Sequence, residues 1–310
     1  MFSSCFRADV FDQFPADSHS LLKEIVLSQA GVILPDQVDT LTNTLDSAPN
    51  DLLVRLMPLA AACAWAPVSS FYVGAVARGL SGKVYLGANM ELAGGSMAVT
   101  LHAEQAVINN AWLNGEKGLE KLAVNAAPCG HCRQFMFETA TAESLDIMIG
   151  NMTDSQVVEH CQLTQLLPSA FGPKNLGVST LLMDDASQSL QVDESDPLAV
   201  AACQAACASY APYTGGYAGV ALRTDDDAVF VGRYAENAAF NPSLTAMISA
   251  LSQLRFASLQ IPRRIVEVVM VERPSAINHK QLTDNIVDLL EGCEYRYLPA
   301  QRVAQNEIAS

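Results

Sequence analysis

WAPVSSFYVGAVARGLSGKVYLGANME, residues 65–91, lies over YAPYTGGYAGVALRTDDDAVFVGRYAE, residues 210–236, without a gap. The offset is 145, and eight of the 27 aligned positions are identical, where chance gives about two. Among the identical positions are Pro67 with Pro212, Gly74 with Gly219 and Gly87 with Gly232, read from sequence as marks of the same turns. Further out, TLHAEQAV (100–107) lies over SLTAMISA (243–250) after a two-residue slip, and KLAVNAAPCGHC (121–132) over EVVMVERPSAIN (267–278). A duplicated domain explains the pattern. Within the first copy, YVGAVARG and KVYLGANM around the turn LSG read as a hairpin. A helix over about 102–114, the strand KLAVNA, a helix from about Cys129 and the strand LDIMIG follow. This alternation predicts an α/β protein: a three-layer α/β/α sandwich with a mixed sheet, duplicated as an active and a degenerate copy.

The flanks complete the expected organisation. Residues 1–48 read as a small helical segment, with Ser18 as the cap of a helix carrying Leu21, Leu22, Ile25 and Val26. Pro35 opens a second helix with Val38, Leu41 and Leu45 at helical spacing. An apolar helix over about 51–65 should be interrupted or kinked at Pro58. The catalytic domain is then 49–150, a turn-rich connector 151–194, and the degenerate copy 195–310, opened by an alanine-rich helix over about 197–209. A chain of 310 residues suits two domains, since single cores rarely grow past roughly 250.

Composition excludes several classes of partner. With 18 basic against 33 acidic side chains, the formal net charge of −15 opposes binding to a nucleic-acid backbone. No apolar run approaches the roughly 18 residues of a membrane span. Arg7, Asp9 and Asp12 fall where a secretory leader needs its apolar core, so the expected location is the cytoplasm. Cys5, Cys63, Cys161, Cys203 and Cys293 read as ordinary thiols, and Cys203 with Cys207 as two small residues packed on one helix face.

Cys129 and Cys132 are where chemistry enters. In the second copy Thr245 stands for His102, Met247 for Glu104, Ser275 for Cys129 and Asn278 for Cys132. Four reactive side chains are replaced together while the scaffold pattern remains, which suggests that they work as one unit. Two thiolates and an imidazole suit zinc, and three protein ligands leave a fourth position for water. Cys-x-x-Cys at a helix start presents both sulfurs on one side and favours their ionised form. Glu104, two residues past His102, is placed to carry protons rather than to share the metal. Taken singly, Cys-x-x-Cys also fits a structural half-site or a redox pair, His102 fits a structural histidine, and His131 is a candidate fourth ligand.

HAE (102–104) followed by PCGHC (128–132) has the form H-x-E…P-C-x-x-C, the established signature of zinc deaminases. At these residues the chain resembles the cytidine deaminases of the two-domain, homodimeric bacterial kind, over nearly its whole length. The resemblance implies one zinc per chain on His102, Cys129 and Cys132, with Glu104 as the catalytic proton carrier. It also implies that GANMELAG (87–94) binds the nucleoside sugar through Asn89 and Glu91. Phe71 would lie against the pyrimidine, and the backbone at Ala103 and Ala127 would contact the base. AFGPK (170–174) resembles the segment that reaches the neighbouring subunit's site in dimeric members, so Phe171 is expected as a substrate contact across the interface. The implied reaction is hydrolytic deamination of cytidine and 2′-deoxycytidine, in pyrimidine salvage. Set against it are a polynucleotide deaminase, a deaminase of another small cytosine-containing or nucleoside substrate, and a non-catalytic zinc module.

Overall fold

The computed structural model describes residues 6–152, 156–259 and 261–303, so Cys5 lies outside the described residues. The first half carries α1 His19–Leu27, α2 Pro35–Thr44, α3 Pro49–Ala62, α4 Ala103–Leu113 and α5 Gly130–Met136. Its strands are β1 Val32–Ile33, β2 Gly74–Gly79, β3 Val84–Ala88, β4 Leu119–Val124, β5 Asp146–Gly150 and β6 Val157–Gln162. They form one sheet in the order β1-β3-β2-β4-β5-β6, antiparallel except where β4 runs parallel to β5. The stretch after residue 150 thus supplies an edge strand, then a short α6 Leu163–Leu166.

The second half repeats this topology. After β7 Leu190–Gln191 and α7 Pro197–Cys207 come β8 Ala218–Thr224, β9 Val229–Arg233, α8 Ala246–Ala257, β10 Ile265–Glu272, α9 Lys280–Val287 and β11 Glu294–Pro299. The sheet order β11-β10-β8-β9 mirrors β5-β4-β2-β3, again with one parallel pair, β10 with β11. A final β12 Gln301–Arg302 pairs with β7. Each sheet is covered on one face by the helix that precedes it, α3 or α7, and on the other by α4 or α8. The mixed α/β/α architecture expected from the repeat is the one found.

The glycines shared by the two copies do a different job from the one read in sequence. They lie inside strands, not in turns, where a helix backbone comes close to the sheet. A Cβ on Gly87 would sit 2.3 Å from the Val107 nitrogen in α4, and one on Gly232 would sit 2.2 Å from the Ala250 nitrogen in α8. Gly74 and Gly219 have the same relation to Ala61 in α3 and Ala206 in α7, at 2.3 Å each. Only a residue without a Cβ permits this approach, so both copies keep it.

Two other expectations need correction. The Ser18 hydroxyl donates to the Pro15 carbonyl at 2.7 Å and leaves the α1 amides alone. The chain ahead of α1 turns as a short 3-10 segment, which gives that hydroxyl a nearer acceptor. Helix α3 runs through Pro58 without interruption, because every side chain from Leu52 to Ala62 except Arg55 is buried and packing outweighs one lost backbone bond.

Helix α4 is buried from Ala103 to Trp112, since the second copy covers what the first sheet leaves open. Asn109 and Ser249 lock the two copies together: the Asn109 amide donates to the Ser249 carbonyl at 3.3 Å, and the Ser249 hydroxyl donates to Asn109 Oδ1 at 2.7 Å. Gln105 donates to the Pro242 carbonyl at 3.0 Å. The helix that carries the candidate catalytic residues is thereby clamped between both halves. A Gly87→Ala substitution should destabilise the protein by about 3 kcal/mol through overpacking against α4. Gly130→Ala, whose Cβ meets nothing within 4 Å, is the control. Thermal unfolding of both variants checks this, and equal Tm values would refute the close-approach role.

Candidate active site

His102 and Cys129 occupy the same local position, the residue just before a helix, with extended backbone angles (ψ 155° and 167°). Helices α4 and α5 begin side by side, so their first residues face one another. His102 Nδ1 lies 3.5 Å from Cys129 Sγ and 3.2 Å from Cys132 Sγ, and the two sulfurs are 3.6 Å apart. Among the described residues this is the one group of His, Cys, Asp and Glu side chains arranged to hold a metal ion. A tetrahedral zinc with Zn–S of about 2.3 Å and Zn–N of about 2.0 Å has ligand–ligand edges of roughly 3.5–3.8 Å. The trio fits that size, with His102 to Cys132 slightly short.

The electrostatics support the same fit. Cys129 is pulled down to about 4 because the Cys132 thiol donates to its sulfur, with help from the Cys132 and His131 amides and His102 against the opposing effect of burial. Cys132 is pushed far up, first because its proton is donated to Cys129, then by burial and by the charges of Glu104 and Cys129. Binding a dication requires both thiols to be deprotonated, and the lowered pKa of Cys129 favours that. His131 remains outside the trio, half-buried, its ring centre 5.8 Å from that of His102.

Glu104 sits in the first turn of α4 and is only 5% exposed. Burial raises its pKa, opposed by its own backbone amide and by His102. A buried carboxylate beside a metal site, its affinity for a proton raised by burial, is suited to proton transfer.

His102, Ala103, Glu104 and Cys129 form one end of a cavity of about 360 Å³, also lined by Ala127, Phe71, Asn89 and Glu91. The structure thus brings together all the expected site residues that line one cavity, with Cys132 buried behind it; Phe171 is elsewhere. Phe171 is 45% exposed beside a separate groove, its carbonyl accepting from Gln134 Nε2 at 2.7 Å.

Asn89 and Glu91 prove to be bound to the chain itself. Asn89 accepts from the Val73 amide and donates to the Phe71 carbonyl, both at 2.9 Å. Glu91 accepts from the Val68 and Ser69 amides at 2.9 and 3.0 Å and from the Ser69 hydroxyl. Burial works against the Glu91 charge, but these donors hold its pKa below the ordinary value. Ser69, Met97 and Thr100 also line the cavity and were missed in the sequence. One signal for Ser69 was present: Thr214 faces it in the repeat, a hydroxyl kept in both copies.

A His/Cys/Cys metal site with a buried glutamate, on a duplicated α/β/α scaffold, defines a zinc-dependent deaminase. Residues 49–145 and, separately, residues 163–284 match families described as the cytidine and deoxycytidylate deaminase zinc-binding region. A cytidine deaminase from Photobacterium profundum is 40% identical over 91% of this chain and 94% of its own length. One from Serratia proteamaculans is 43% identical over 86% of this chain and 89% of its own. A solved cytidine deaminase from Mycobacterium tuberculosis aligns with 41% of this chain and 99% of its own, at 33% identity and a TM-score of 0.35. The chain belongs to the cytidine deaminase family.

Removing one sulfur should empty the site. Cys129→Ala is expected to lower zinc from about one per chain to a small fraction, as measured by atomic absorption on dialysed protein. Unchanged zinc content would remove Cys129 from the ligand set.

Proposed function

We propose that the chain hydrolyses cytidine and 2′-deoxycytidine to uridine and 2′-deoxyuridine with release of ammonia, using one zinc held by His102, Cys129 and Cys132. The observation that carries this reading is the buried Glu104 beside that trio, lining a cavity of nucleoside size. Zinc, when bound, supplies Lewis acidity and lowers the pKa of water toward neutrality.

Glu104 takes a proton from the attacking water and delivers it to ring nitrogen N3, which makes C4 electrophilic. After that water's oxygen adds at C4 as a hydroxyl, Glu104 takes the hydroxyl's proton and passes it to the amino group; the C4–N bond breaks, ammonia leaves and C4 becomes a carbonyl. The backbone at Ala103 and Ala127 contacts the base, and Phe71, 60% exposed at the cavity mouth, covers the ring. Asn89 and Glu91 face the sugar, and Glu91 disfavours a phosphate there by charge repulsion.

In this reading 1–48 is a helical segment, 49–150 the catalytic domain, 151–194 a connector and 195–310 the degenerate copy. The active form is a cytoplasmic homodimer in which Phe171 of one chain reaches its partner's cavity. Its exposure, and its absence from the lining of its own chain's cavity, support that assignment. The net charge of −15 fits a small uncharged substrate better than a phosphate backbone.

Glu104→Gln should retain zinc while kcat falls by on the order of 10³–10⁴-fold; turnover near that of the unmodified chain would end its assigned role. Ammonia release from cytidine, deoxycytidine, cytosine, the monophosphates and single-stranded DNA, assayed in parallel, should be confined to the two nucleosides. Faster release from any other substrate would replace the proposed reaction.

A further inference from the structure

The second copy has lost the metal ligands, yet it holds the helix that carries two of them. Helix α5 has only seven residues, too few to be stable alone. At its start, Arg133 ties the preceding loop, donating to the Pro128 carbonyl at 2.7 Å and the Leu166 carbonyl at 2.9 Å. At its end stands Glu138, fully buried and two residues past the helix. Its Oε1 accepts from the Tyr210 hydroxyl at 2.8 Å and from the Tyr213 hydroxyl, and its Oε2 from the Ala238 amide at 3.0 Å. Asn237 donates to the Gln134 carbonyl, within α5, at 3.0 Å. All four donors belong to the second copy.

Tyr210 and Tyr213 lie in YAPYT, which aligns with WAPVS at 65–69. In the first copy that loop hangs from Glu91 and leads to Phe71. In the second it hangs in the same way from Glu236: the Tyr213 and Thr214 amides donate at 2.8 and 3.1 Å, and the Thr214 hydroxyl at 2.6 Å. Glu236 is as deeply buried as Glu138. The loop geometry has survived where no active site remains, and the side chains at the positions of Trp65 and Val68 are now phenols aimed at the other copy's carboxylate. Burial, then the nearby Glu138 charge, pushes both tyrosines far above their ordinary pKa, so they stay neutral donors. Packing alone would be met by phenylalanine.

We infer that Tyr210 and Tyr213 are positioning residues for the metal site: through Glu138 they fix α5, and so the distance of Cys129 and Cys132 from His102. The inference rests on the zinc assignment proposed above. Hydrogen bonds made directly to metal ligands typically change metal affinity by about 10–100-fold, and support acting through α5 is expected at the lower end of that range.

The test is zinc release from the full-length holoprotein into a chromophoric chelator, with thermal unfolding measured alongside. Tyr210→Phe/Tyr213→Phe should release zinc about tenfold faster or more, and each single variant by an intermediate factor. Tyr85→Phe is the control, because it removes a phenol from another buried glutamate, Glu116, at 3.1 Å, without touching α5. Its release rate should match the unmodified chain's. Release from the double variant at the unmodified rate, or equal acceleration by Tyr85→Phe, would overturn the inference while leaving the zinc site standing. If the double variant fails to fold, Tyr213→Phe alone decides by the same comparison. An unmodified chain that binds no zinc would overturn the metal assignment and this inference together.

Discussion

Two helix starts have to meet within about a sulfur diameter of one another, His102 ahead of α4 and Cys129 ahead of α5. Neither helix can move freely to make that meeting. The approach of α4 to the sheet is set by Gly87, where even one Cβ would collide with the helix backbone. Its outer face is closed by α8 through Asn109 and Ser249. Helix α5 is too short to hold its own place and is tied at both ends. The burial that positions α4 also keeps Glu104 from water and raises its affinity for a proton. Position and proton chemistry therefore share one physical origin.

The duplication lets the two halves be compared as a natural experiment on one scaffold. Both keep the glycines at the helix contacts, and both keep the glutamate that hangs the loop, Glu91 in one and Glu236 in the other. Glu91 and Glu236 make the same three hydrogen bonds, although only the first faces a cavity with a metal site. The loop-holding role of this glutamate is thus separable from any contact with a sugar, and Glu91 in addition lines the cavity. The differences that bear on the site fall at the helix starts and in the loop: His102 against Thr245, Glu104 against Met247, Cys129 against Ser275, Cys132 against Asn278 and Val68 against Tyr213.

Much of this was legible in the sequence, and for identifiable reasons. The repeat is visible because glycine and glutamate at those positions answer to backbone geometry, which tolerates few substitutes. The ligand trio and Glu104 are visible because two short motifs carry them and because the second copy lacks all four together. The function of the shared glycines was misread, since sequence alone does not separate a strand glycine under a helix from one in a turn. The Ser18 cap was misassigned because its hydroxyl found a nearer carbonyl. The Glu138 network was invisible, because its partners stand 72, 75 and 100 residues away and no local pattern links them. Phe171 could be named only through resemblance, and in the fold of one chain it does not line the cavity.

The central claim is the composition of the metal site, and zinc-edge X-ray absorption on the purified holoprotein reads it directly. The structure predicts two sulfur scatterers at about 2.3 Å and nitrogen or oxygen neighbours at about 2.0 Å, with a four-coordinate edge. A spectrum requiring three or four sulfurs, or none, would contradict the His102, Cys129 and Cys132 site.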